Sequence, residues 1–447
     1  MPTPNGAFLS MSPPPIAPEF APDLGPVLRP GVRRREALGW AMFDFANSGY
    51  TTVVITAIYG AYFVSVVAGG TTWATLAWTA ALAFSNLLVL LSAPVLGAWA
   101  DVHAGKKRLA ALTTVGCVLT TAALGWIGPG SVVLALGLLV LSNAFFSSGG
   151  NLVAAFLPEL ARPQRLGTLS GWGWGLGYIG GLLCLALCLA YIHWAQARGH
   201  TASEFVPVTL LITAGLFAIT ALPFFIWVRE RAQPQPRSGV SAWAQVAKTW
   251  RESARFQDMR RFLICIVFYQ AGIMTVIALA AIYAQEVMGF DTAQTVMMIF
   301  VVNITAAIGA LGFGYLQDRI GPVRGIALTL LGWIAMVLVA WSSESAASFW
   351  LAANLAGLCL GASQSAGRAL VGYLAPDAQR AEFFGLWGLA VMMASIVGPL
   401  TYGLVTWLTG GDHRSAMLVT GLYFVIGLLL LRGVNAERGY RAAQAVL

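Results

Sequence analysis

GAWADVHAGKKR (residues 97–108) and GYLQDRIGPVR (residues 314–324) are two copies of one pattern: a glycine, an aspartate four residues on, a second glycine, then cations. Each stands between two long apolar runs. A second pair follows in the same order. LPELARPQRLGTLSG (157–171) and LAPDAQRAEFFG (374–385) both carry a proline, an acid and Gln-Arg ahead of a glycine-bearing apolar run. Two elements repeating in register mean that the chain is built from two related halves.

Composition says what the halves are made of. With 58% hydrophobic and 10% charged residues and a mean hydropathy of +0.74, the chain has too little polar surface to cover a soluble core. Apolar runs of about 18 residues or more cross a bilayer as helices, because only intrahelical bonding satisfies the backbone in hydrocarbon. Twelve are expected, at about 38–66, 73–100, 109–128, 131–157, 167–193, 206–228, 262–286, 293–316, 325–342, 347–374, 383–409 and 415–431. The fold expected is an all-α polytopic membrane protein with two pseudo-symmetric six-helix halves, 37–228 and 261–432, joined by a linker at 229–260. Parallel repeats of six about an axis along the membrane normal are the plan of the major facilitator transporters, with substrate near the midplane between the halves.

Basic residues collect on the cytoplasmic side of short loops. Of the 26 Lys and Arg, an internal N-terminus puts 23 inside, leaves Arg198 and Arg414 outside and keeps Arg368 within a span. Both termini are therefore expected in the cytoplasm, which for a bacterial chain means the inner membrane. The net charge of +8 is topological and calls for no nucleic acid. The first 36 residues, nine prolines among the first 30, read as a disordered cytoplasmic tail, and residues 433–447 as a cytoplasmic tail. Trp243, Val246, Ala247, Trp250 and Ala254 recur at helical spacing in the linker, with Lys248, Arg251 and Arg255 turned elsewhere. This reads as an amphipathic helix against the inner headgroups.

In the repeated loops, Gly97, Gly105, Gly314 and Gly321 allow close helix approach. Asp101 and Asp318 cap a helix start or pair with a cation from Lys106, Lys107, Arg108, Arg319 and Arg324. Such contacts hold the inner side shut. The plainer reading is topogenesis alone. Gly173, Gly177 and Gly181 of GWGWGLGYIGG have small-xxx-small spacing, not the strand-loop-helix context of a phosphate cradle. With no Gly-x-x-x-x-Gly-Lys motif, ion or solute gradients are left as the energy source. Five cysteines lie inside spans as small hydrophobes. His193, His200 and His413 fall at the outer surface and His103 in an inner loop, none at ligand spacing, so neither a metal nor a cofactor is expected.

Five stretches narrow the reading: GWAMFDFANSGYTTVV (39–54), AFLPELA (155–161), LSGWGWGLGYIGG (169–181), GASQSAGRAL (361–370) and EFFGLWGLA (382–390). They resemble the signatures of the vacuole-effluxer-like branch of the major facilitator superfamily, over nearly all of 38–432. The resemblance implies a secondary transporter, and by family an exporter of amino acids from the fungal vacuole. Trp172 stands where that family usually has a basic residue after Ser-Gly.

On this scaffold Asp44 lies nine residues past Arg35, about 13 Å up the first helix, and Arg368 lies nine before Asp377, at the same height on the tenth. In the major facilitator arrangement both helices line the central cavity. An unpaired charge there costs about 2.5–3.5 kcal/mol, so the two are expected to meet. Asn47 is expected to donate to Asp44, and Gln364 shares the face of Arg368. Either Asp44 takes up a proton and releases a gate, or the pair binds the charged ends of an amino-acid-like substrate, or it only fixes packing; its depth favours the gate. Midplane candidates for substrate contact are Tyr50, Thr51, Asn143, Tyr269, Gln270, Ser363 and Gln364. Their neutrality suggests a zwitterionic or neutral solute. A monomer with H⁺ as coupling ion is the expectation. The rivals are a membrane-embedded transferase and a transporter-like receptor, lacking respectively a unique catalytic cluster and a soluble output domain.

Overall fold

The computed structural model describes residues 26–162, 166–231, 241–376 and 380–444. Spans 1 to 6 are Arg34–Val67, Ala74–His103, Lys106–Leu124, Val132–Ala154, Leu166–Gln196 and Ala202–Trp227. Spans 7 to 12 are Gln257–Met288, Thr292–Ile320, Pro322–Ser342, Ala346–Leu374, Arg380–Leu408 and His413–Leu431. All twelve contain stretches apolar and long enough to cross a membrane. The described β pairing is a single bridge between Leu28 and Ala161. The end of the bundle holding Arg34, Lys106 and Leu431 is called the basic end below, and the opposite one the far end.

Helix termini are set by local chemistry. At span 6, Thr201 and Glu204 form a reciprocal cap in which the Thr201 amide donates to Glu204 Oε2 at 2.7 Å. At span 12, Asp412 Oδ1 accepts from the amides of Arg414 at 2.9 Å and Ser415 at 3.2 Å. The Ser415 hydroxyl and these amides hold the Asp412 carboxyl below its ordinary value.

Span 1 is irregular where it matters. It is α-helical to Tyr50, then widens over Thr51–Ala57, breaks at Ile58 (φ −119°, ψ −61°), and widens again over Phe63–Val67. The wide turns show as amide bonds five residues back, Ile58 to Val53 at 3.0 Å and Ala68 to Phe63 at 2.8 Å. The β-branched run Thr51–Thr52–Val53–Val54–Ile55–Thr56 crowds an ordinary α-helix, and such bulges mark functional segments.

Glycines decide which spans touch. A Cβ on Gly173 would overlap the Asp44 carboxylate, one on Gly177 would stand 2.8 Å from Ser48 Oγ, and one on Gly181 2.9 Å from Thr52 Oγ1. The glycine row of span 5 is thus the groove that receives the row Asp44, Ser48 and Thr52 of span 1. The second half repeats the pairing: a Cβ on Gly398 of span 11 would overlap the Ala271 carbonyl of span 7. Spans 8 and 10 also meet backbone to backbone, with Gly309 against the Leu358 carbonyl and Gly361 against that of Ala306. Across the halves, Gly403 of span 11 presses on Thr79 of span 2 at the far end, and Asn86 Nδ2 reaches the Ser395 carbonyl at 3.5 Å.

Each half is also stapled at the basic end by an acid opening its first span and an arginine following its last. Glu36, 2% exposed, accepts from Arg231 at 2.8 Å and from the amides of Arg33 and Arg229. Asp258, 3% exposed, accepts from Arg438 Nη2 at 2.7 Å and Nε at 2.8 Å, and from the amide of Asn435. Hydrogen bonding to these carboxylates raises both guanidinium groups above their ordinary value. Removing one partner of a buried pair costs about 3–5 kcal/mol; partial exposure of Arg231 lowers that. Glu36→Gln is expected to destabilise the protein by about 2 kcal/mol, read as a lower thermal midpoint in detergent.

Two expectations shift. Residues 26–33, assigned to a tail, lie along the loop after span 4, with the Arg29 amide donating to the Leu160 carbonyl at 2.9 Å and that of Arg162 to Val27 at 3.0 Å; residues 1–25 fall outside the described residues. The linker does form a helix, Ala242–Glu252, lying against spans 2 and 11. Its Trp243 and Trp250 are exposed, and Arg260 sits 5.1 Å from the Trp250 ring.

Candidate transport cavity

A cavity of about 560 Å³ lies between the halves, walled by spans 1, 2, 4 and 5 on one side and 7 to 12 on the other. The widened turns of span 1 put Thr51, Thr52, Ile55 and Thr56 on its surface. Toward the basic end it reaches Asp44, Asn47, Asn151 and Trp174, the last 42% exposed. At the far end Tyr59 and Phe63 of span 1 pack on Trp78 of span 2 and Tyr62 packs on Tyr59, all buried.

Asp44 lies on the wall one turn below Asn47. Asn47 Oδ1 is buried and has no hydrogen-bond partner, and the expected donation to Asp44 is not among the described bonds. The side chain of Arg368 lies outside the described residues, as do those of Asp101, Asp318 and Arg319, and the surroundings of Gly314; the backbone carries Arg368 on span 10, one turn from Gln364. Gln364 lines the cavity and accepts from Gln270 Nε2 at 3.3 Å.

Of the seven midplane candidates, Thr51, Asn143 and Gln364 line the cavity. The other four stand behind the wall. Tyr50 is buried, its hydroxyl accepting from Ser142 at 2.9 Å. Tyr269 is buried beside Gly367 and Gly427, and Gln270 reaches the wall only through Gln364. Ser363 accepts from the indole of Trp333 at 3.3 Å, and it is Trp333 that faces the cavity. Residue counting fixes height in the membrane but not rotation, and each step along a helix turns the side chain by about 100°.

In the first repeated loop, Gly105 precedes span 3 and lies against the Trp99 ring, where a Cβ would come within 2.8 Å, and Gly97 has open space around it. Lys106 Nζ pairs with Glu159 at 3.1 Å and Lys107 Nζ donates to the Val228 carbonyl at 2.6 Å, while Arg108 is exposed. The cap at the start of span 3 comes from Glu230, which accepts from the amides of Lys106 at 2.8 Å and Lys107 at 3.2 Å. Glu159 also accepts from the Arg231 amide at 2.8 Å. In the second loop, Gly321 takes φ +87°, which a side chain rarely adopts, and Arg324 is exposed. Sequence reasoning overlooked Glu36, Glu230 and Arg231, and among the wall residues Asn86, Asn151 and Asn303, whose amides inside apolar runs were the available signal. His413 is not at the surface: it is 8% exposed, with Nδ1 3.0 Å from the Tyr402 hydroxyl.

Twelve spans in two matching halves around a central cavity define a polytopic carrier of the major facilitator type. The family described as vacuole effluxer Atg22 like matches residues 164–444, and the chain belongs to it. A Bacillus subtilis protein named as an uncharacterized MFS-type transporter, YxiO, is 26% identical over 91% of this chain and 96% of its own. Autophagy-related protein 22-1 of Aspergillus niger is 23% identical over 67% of this chain, which spans about half of that longer protein (52%). Among solved structures the fold is similar to a point mutant of the nucleoside transporter NupG (TM-score 0.68, 14% identity, 89% of this chain and 99% of that one). It is similar too to a D-xylose-proton symporter (TM-score 0.67, 14% identity, 90% and 98%).

Proposed function

We propose that this chain is a secondary active transporter that exports or exchanges small solutes such as amino acids by alternating access, driven by protons. The single observation that supports it most is a central cavity between two repeat-related halves with an acid, Asp44, on its wall. An intramembrane carboxylate is a functional site by default, and one that gains and loses a proton couples the cavity to a proton gradient. The basic end is assigned to the cytoplasm by the distribution of Lys and Arg, which puts the far end, with its packed Tyr59, Phe63 and Trp78, outside. The staples at Glu36 and Asp258 hold each half as one body, so that the halves rock about the cavity while the pairs within them persist.

The test is counterflow of radiolabelled neutral amino acids into proteoliposomes of the purified chain. Labelled cargo is expected to enter vesicles preloaded with the same unlabelled amino acid at rates well above protein-free vesicles. An imposed pH gradient is expected to produce accumulation without preloading. A chain that gives neither, yet consumes a lipid or sugar donor, would be an enzyme on the transporter fold.

A further inference from the structure

The two walls of the cavity differ in chemistry. The N-terminal half contributes Asn47, Ser48, Thr51, Asn143, Ser147 and Asn151. The C-terminal half contributes Met274, Met298, Met336, Met392 and Met417, and no methionine comes from the other wall among the described residues. Three polar groups of the methionine side are engaged within their own half: Asn303 donates to the Ile299 carbonyl at 2.8 Å, Ser395 to Val391 at 3.0 Å and Tyr283 to Ala340 at 3.0 Å. On the amide side the buried Asn47 Oδ1 has no partner, an acceptor that an N–H donor would satisfy.

We propose that the cavity holds an amphipathic cargo across its width, with the amine-bearing polar end on the N-terminal wall and the apolar body on the C-terminal wall. Met298 and Met336, both buried, are then specificity-determining residues. This rests on the reading of the cavity as the cargo site and adds which half reads which end. Methionine is unbranched, flexible and polarizable, so a wall of it moulds to many apolar shapes. A cavity of about 560 Å³ falls in the ordinary range for drug-sized ligands, about 300–1,000 Å³. Bodies much longer than one methyl therefore fit.

The experiment uses straight-chain 2-amino acids with side chains from methyl to hexyl, titrated into the full chain in nanodiscs. Tryptophan fluorescence serves as the readout, because Trp174, Trp333 and Trp387 line the cavity. Affinity is expected to rise about fourfold per added methylene, the equivalent of about 0.8 kcal/mol. In the double variant Met298→Gln with Met336→Gln, nearly the same in volume, the rise is expected to fall below about twofold per methylene, while Met336→Leu keeps it. A wild-type affinity that ignores chain length overturns the division between the walls, as does a slope that survives both glutamines. Binding by no member of the series overturns that division and the amino-acid reading of the cargo together. If the double variant cannot be purified, Met336→Gln alone takes its place, and a slope equal to that of wild type in it overturns the division between the walls.

Discussion

Asp44→Asn is expected to abolish accumulation of cargo against its gradient, while exchange of labelled for unlabelled cargo continues. One proton moved per cargo across a difference of one pH unit sustains about a tenfold concentration ratio, because each unit is worth about 1.36 kcal/mol. A side chain of the same shape that cannot titrate leaves that ratio at unity. The carboxylate is well placed for this. It stands on the cavity wall, on a span whose neighbour is cut back to glycine at 173 to make room for it. A charge at this depth costs about 2.5–3.5 kcal/mol on insertion scales, so its protonation changes the stability of whichever state encloses it. Gly173→Ala should therefore resemble Asp44→Asn in the same assay, since the added methyl displaces the carboxylate. Undiminished gradient-driven accumulation by Asp44→Asn would show that the proton is taken up elsewhere.

Gly361→Leu is expected to cost most in stability. A Cβ at 361 falls on the Ala306 carbonyl and stands 2.7 Å from the Ala310 amide nitrogen, while Gly309 returns the contact on Leu358. These are backbone atoms of a packed neighbour and cannot rotate away. Overpacking of a core costs about 1–3 kcal/mol even where side chains give, and here spans 8 and 10 must separate along their whole crossing. Against a total stability of about 5–15 kcal/mol, folded yield by size exclusion should fall at least tenfold. Gly137→Ala, where a Cβ would meet nothing within 4 Å, should be neutral or slightly stabilising in the same measurement.

The fold was legible because its two governing signals are local. Twenty apolar residues in a row demand a span wherever they occur, and the repeated loop at 97–108 and 314–324 counts the spans into halves. Packing partners were legible only as types. Gly173, Gly177 and Gly181 could be read as a close-contact face, but nothing local named Asp44, Ser48 and Thr52 as what fills it. The staples were hidden for the same reason: Glu36 and Arg231 are 195 residues apart, and each alone looks like a topological charge at a span end. Within the cavity, height followed from counting, so Thr51 and Asn143 were found. Rotation did not, so Tyr50 and Thr51, adjacent in sequence, were treated alike although one faces Ser142 and the other the cavity.

The most direct test of the account follows protons, not cargo. Proteoliposomes containing the full chain and an internal pH dye are given an outward gradient of a neutral amino acid that they transport, with no pH gradient imposed. Cargo leaving is predicted to change the internal pH in wild type, in proportion to flux and blocked by competing cargo, and Asp44→Asn is predicted to release cargo with no change. Cargo flux in wild type without proton movement, or proton movement that persists in Asp44→Asn, would contradict it.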